Sequence, residues 1–89
     1  LPILKLNFRH LMKNLKLGDK EGLLLKCLEN FNPVSIKKLE SRTDSKDIHS
    51  LKKIINEKLR NSGFQIIKIM GKNIYGENSY QLTFSPSQN

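Results

Sequence analysis

The period of the apolar positions changes several times along the chain. Ile3, Leu4, Leu6 and Phe8 alternate roughly with polar residues, which predicts a strand over residues 3–8. Leu11, Met12, Leu15 and Leu17 continue in short extended pieces with a polar turn at Lys13-Asn14. A small N-terminal antiparallel sheet is therefore expected. From residue 19 the spacing becomes helical. Asp19 can cap the following amides, and Leu24, Leu25, Leu28 and Phe31 form one stripe. Pro33 ends that helix, because the residue before a proline is pushed out of the helical region. Ser35 then reads as the cap of a short helix anchored by Ile36 and Leu39. A polar connector follows over residues 41–46. Ile48, Leu51, Ile55 and Leu59, with Ile54 beside them, predict a further helix from about residue 45 or 46 to residue 61, capped by Asp44 or Ser45. Gly63 suits the left-handed residue that closes it. Residues 64–69 are β-branched and strand-like, residues 71–78 form a loop rich in Gly and Asn, and Tyr80, Leu82 and Phe84 alternate on a last strand. Two strands around such a loop predict a hairpin.

Charge narrows what this arrangement is for. The 89 residues hold 16 Lys and Arg against 8 Asp and Glu, a formal charge of +8. Such an excess repels itself in a compact chain and points to a polyanionic partner. Residues 46–72 hold seven Lys or Arg and two acids, so five of the eight excess charges fall on the last helix and the start of the hairpin. No apolar run approaches a membrane span, and no secretory leader pattern is present. A single cysteine cannot form an internal disulfide, which fits a reducing, cytoplasmic setting. His10 and Cys27 lie far from His49, so no metal site is expected. No phosphate-cradling glycine loop and no nucleophilic set of Ser, His and Asp stands out, so neither an enzyme nor a cofactor is expected. Residues 1–84 read as one domain and residues 85–89 as a fraying tail.

Three helices followed by a hairpin, with a basic third helix, form the pattern of a winged helix-turn-helix. In that pattern an apolar stripe pins the third helix to the core while its polar face enters the major groove. The chain also resembles the DNA-binding effector domains of OmpR/PhoB-type response regulators and the related membrane-tethered activators of the ToxR kind. The resemblance rests on Leu17-Gly18-Asp19-Lys20-Glu21 with Leu24-Leu25, on Val34-Ser35-Ile36-Lys37-Lys38-Leu39, on Ile48, Ile55, Lys58 and Leu59, and on Tyr80-Gln81-Leu82. It implies an α+β fold with an N-terminal sheet, three helices and a C-terminal hairpin wing. It also implies double-stranded DNA as partner, a homodimer on repeated half-sites, and contact with RNA polymerase through the loop before the third helix. The chain departs from the family pattern where Lys52 replaces a core isoleucine and Asn56 replaces a DNA-contacting arginine.

Carried over by position, Lys46, Ser50, Lys53 and Asn56 face DNA. Helical geometry adds His49 and Arg60, and Lys52 completes the basic helix. Lys72 and Asn73 in the wing are the candidates for the adjacent minor groove. Lys53 and Arg60 suit phosphate, whereas Ser50 and Asn56 suit base edges. Bland readings stand beside these. His49 can be a plain surface residue, Tyr75 can stack on a base or pack back on the sheet, and Lys37 and Lys38 can meet phosphate or water. Cys27, amid leucines, reads as a small apolar core residue. The rival function is a winged helix that binds an acidic protein through its basic face.

Overall fold

The computed structural model describes residues 2–71 and 77–85. They form a small α+β domain of four helices and a three-stranded antiparallel sheet. The helices are α1 (Pro2–Asn14), α2 (Asp19–Leu28), α3 (Ile36–Thr43) and α4 (Ile48–Lys58), and the strands are β1 (Val34–Ser35), β2 (Phe64–Ile69) and β3 (Ser79–Phe84). The sheet runs β1-β3-β2, with Val34 opposite Tyr80 and Ile66 opposite Leu82.

The N-terminal sheet expected from residues 3–17 is absent among the described residues, where a 13-residue helix stands instead. The reason lies in the longer spacing. Phe8 is fully buried, and Leu4, Leu11, Met12 and Leu15 pack beside it on the core. These positions recur at three- and four-residue steps, one helical face. The alternation over residues 3–8 covers too short a window to outweigh it, and Ile3 and Leu6, which that alternation counted as apolar contacts, are exposed. Phe8 anchors α1 through ring contacts to Phe64 at 5.0 Å and Phe31 at 6.3 Å.

The later elements follow the sequence pattern, with adjusted ends. Leu24, Leu25 and Leu28 of α2 are fully buried together with Leu39 of α3. Gly18 rather than Asp19 precedes α2, and the Glu21 carboxylate accepts the Gly18 N–H at 3.2 Å. The Ser35 hydroxyl accepts the Lys38 N–H at 3.2 Å and caps α3 as expected, while Ser35 also belongs to β1. Helix α3 runs on through Thr43, whose buried hydroxyl donates to the Leu39 carbonyl at 2.7 Å. Asp44 closes α3 in the left-handed conformation, so it caps no part of α4. The cap of α4 is Asp47, whose Oδ1 accepts the Ser50 N–H at 3.1 Å.

Helix α4 ends three residues before the expected residue 61, at Lys58. Asn61 (φ 69°) and Gly63 (φ 88°) both turn left-handed on the way into β2. A Cβ on Gly63 would stand 2.8 Å from the Phe84 ring, so this glycine serves both the turn and the close approach of β3. The Ser85 N–H reaches the Gly63 carbonyl at 2.8 Å, which ties the first residue of the expected tail to the domain. None of the described helices is long and apolar enough to cross a membrane.

Candidate nucleic-acid interface

One stripe fixes α4 to the rest of the molecule. Ile48, Ile55 and Leu59 are at most 2% exposed, and Leu51 packs half-buried beside them. At about 100° per residue the opposite side is an arc of roughly 140°. His49, Ser50, Lys53, Ile54, Glu57 and Arg60 occupy it, and all six are exposed. Lys46 is exposed in the turn just before the helix.

Most of the sequence-based candidates therefore share one surface, but two do not. Asn56 stands on the shoulder of α4, and its amide is committed to β2. Its Nδ2 donates to the Ile66 carbonyl at 3.0 Å, and its Oδ1 accepts the Ile66 N–H at 2.8 Å. These bonds satisfy both backbone groups that Ile66 carries on the open edge of the sheet. The base-reading role expected of Asn56 is thus replaced by a structural one. Lys52 lies half-buried on the same shoulder, its ammonium 5.4 Å from the centre of the Tyr80 ring. That is a cation–π distance, and it turns Lys52 toward the sheet and away from the outer arc. Tyr80 itself is 2% exposed, in the core as its alternation predicts. Burial, with a smaller contribution from the negative Asp47, raises its phenol above the ordinary value. Lys72, Asn73 and Tyr75 lie outside the described residues.

Pairing further reduces the free charge on this surface. Arg60 and Glu57 approach at 3.4 Å, both side chains about three-quarters exposed, a geometry of little energetic weight. Lys58 turns inward, donating at 2.6 Å to both the Glu21 carboxylate and the Lys16 carbonyl. The N-terminus of α4 is not open to a phosphate either. Asp47 already occupies it, and hydrogen bonds from Ser50 hold its carboxyl below the usual range. Lys46 and Lys53 remain as exposed cations with no hydrogen bond or ion pair among the described residues.

Two residues of the arc, Ile54 and Glu57, carry neither the basic nor the amide chemistry that marks a DNA contact in the sequence. Glu57 sits near the centre of the outer face. Ile54, assigned to the flank of the apolar stripe, is 45% exposed. Counting helical angle from Ile48 finds both. The Asn78 side chain accepts the Gly71 N–H at 3.0 Å across the loop, and the Asn78 carbonyl accepts the Ile36 N–H at 3.0 Å. One residue thereby links the β2–β3 hairpin to the start of α3.

A hollow of about 280 Å³ opens at the C-terminal end of α4 between Asn56, Arg60, Gly63 and Gln65. Its lining holds no carboxylate, imidazole or thiol for acid–base or nucleophilic chemistry. Among the described residues no three His, Cys, Asp or Glu side chains gather as metal ligands. Comparison with protein families, with curated proteins and with solved structures found no match. The chemistry on offer is that of a polar helix face, with two free lysines, an imidazole, a hydroxyl, a carboxylate paired with a guanidinium, and one exposed aliphatic side chain.

Proposed function

We propose that this chain is a winged-helix domain that binds double-stranded DNA, with α4 in the major groove and the β2–β3 hairpin against the adjacent minor groove. The observation that carries the reading is the one-sided anchoring of α4, which leaves a full outer face uncovered directly after α3 and directly before the hairpin. A helix in the major groove needs that combination of a pinned back and an open, polar front. Ser50, Ile54 and Glu57 are the base-reading candidates. A hydroxyl serves either partner of a pair, an aliphatic side chain suits the thymine methyl, and a carboxylate accepts from cytosine N4. Lys46, Lys53, Arg60 and His49 flank them toward phosphate.

The motifs shared with OmpR/PhoB-type effector domains support the reading over residues 17–82. Helix α1, standing where that family has a sheet, sets the chain apart from it. The proposal is therefore a transcription-regulating DNA-binding domain of its own kind. A second copy on a repeated half-site and RNA polymerase are its further partners.

Chemical-shift mapping with duplex DNA tests the placement. Shifts clustering on residues 46–60 and the hairpin stem are expected, and shifts confined to α2 and α3 would overturn it. Base reading is tested separately. Lys53→Ala should weaken specific and random duplexes alike, whereas Ser50→Ala or Ile54→Ala should lose about 1–3 kcal/mol of discrimination at one base pair. Equal losses on specific and random DNA for all three variants would exclude sequence reading by this face.

A further inference from the structure

Only part of the cationic excess lies on α4. On the side of the molecule formed by α2 and α3, Lys26, Lys38 and Arg42 are exposed, and their charged side chains have no hydrogen bond or ion pair among the described residues. They rim two adjoining hollows that share Cys27 and Arg42. Val34 and Lys38 complete the smaller hollow, and Leu23 and Lys26 complete the larger, which measures about 350 Å³ and is open to solvent. No carboxylate lines either one, and no α4 residue contributes. Leu23 is 46% exposed, while Cys27 and Val34 are half-buried, so the floor is apolar and the rim is basic. The strip continues past Lys26 along α1, where Met12 and Lys13 line a further hollow. The one acid there, Glu29, is paired with Arg9 at 3.2 Å.

We propose that this α2–α3 groove docks an acidic amphipathic segment of a partner protein, separately from the DNA-binding face. Carboxylates of the segment would meet Lys26, Lys38 and Arg42, while an aliphatic side chain covers Leu23 and Cys27. Charge complementarity selects the class of partner, since three unpaired cations surround the groove with no acid to neutralise them. The apolar floor selects protein over nucleic acid. A phosphate backbone has no aliphatic group to place on Leu23, whereas an amphipathic segment lays its apolar side chains in a groove of this kind. The open shape argues against a small metabolite, which needs enclosure on most sides.

The test uses the full chain, isotope-labelled, with two synthetic peptides. One alternates short runs of Glu with Leu at helical spacing, and the other is polyglutamate. The Leu-bearing peptide is expected to shift Leu23, Lys26, Cys27, Val34, Lys38 and Arg42 and to leave the outer face of α4 unmoved. Arg42→Glu and Lys38→Glu, both at exposed positions, should each lower its affinity about tenfold. Leu23→Ser should also weaken it, with the amide spectrum otherwise retained. Absence of shifts in the groove at millimolar peptide would overturn the proposal. Equal binding of polyglutamate would overturn it too, by reducing the groove to general charge, as would duplex DNA perturbing these same residues. The peptide results do not bear on α4, whose reading stands or falls on its own mapping with duplex DNA.

Discussion

Asn56 can face DNA or protein, and its two hydrogen bonds to Ile66 decide for protein. Removing the amide leaves an N–H and a carbonyl on the edge of β2 without partners. Asn56→Ala should therefore destabilise the domain by about 1–3 kcal/mol. Its effect on DNA should be no larger than the lost folded fraction accounts for. Thermal unfolding beside binding to matched and mismatched duplexes checks both statements, and a base-specific loss in a variant of unchanged stability would refute them. Part of this role is legible in the sequence. Counted from Ile48 at about 100° per residue, Asn56 falls roughly 80° and Lys52 roughly 40° from the buried stripe, on its shoulder and not opposite it. Hidden from the sequence is what the shoulder meets. That depends on β2 and β3 lying beside α4, a tertiary arrangement that no local pattern encodes.

Elements with several turns or a complete alternation declare themselves in the sequence. The two hairpin strands form with their expected bounds, and helices α2, α3 and α4 form where their apolar spacing places them, with ends moved by up to about three residues because caps, not periodicity, set helix ends. The expected N-terminal sheet gives way to helix α1 because residues 3–8 fit two periods, and only the longer window from Leu4 to Leu15 separates them. Its connection to the rest is also tertiary. Lys58 of α4 holds both the Lys16 carbonyl, just after α1, and the Glu21 carboxylate of α2. The hydrogen bond from Lys58 is the main reason that the Glu21 carboxyl lies below its ordinary value of 4.5. A carboxyl depressed in the folded state stabilises the fold fully above its unfolded pKa, and this contribution is lost as pH falls through the folded pKa. Glu21→Gln should therefore lower stability at neutral pH. It should also flatten the decline of melting temperature below about pH 4.5. Unfolding curves of both proteins across the acid range measure this. An unchanged acid slope in the variant would mean that the clamp joining α1, α2 and α4 contributes nothing.

At the scale of the whole molecule, a formal charge of +8 overstates what any one partner meets. Arg9, Lys58 and Arg60 are paired with carboxylates, and Lys52 lies against Tyr80. Among the remaining described cations, Lys46 and Lys53 lie on the α4 side, and Lys26, Lys38 and Arg42 rim the α2–α3 groove. Counterion release makes this division measurable, because log K against log salt falls by about 0.9 for each phosphate neutralised. A chain that used its whole excess on one duplex would show a slope near the full charge count. A chain with a single DNA face should show a distinctly shallower one. Lys46→Ala and Lys53→Ala should each reduce that slope by about 1. Lys38→Ala and Arg42→Ala should leave the slope unchanged and lower affinity only slightly, through the loss of long-range attraction. If the groove variants reduced the slope as much as the α4 variants, DNA would have to wrap onto α2 and α3, and the two faces would be one.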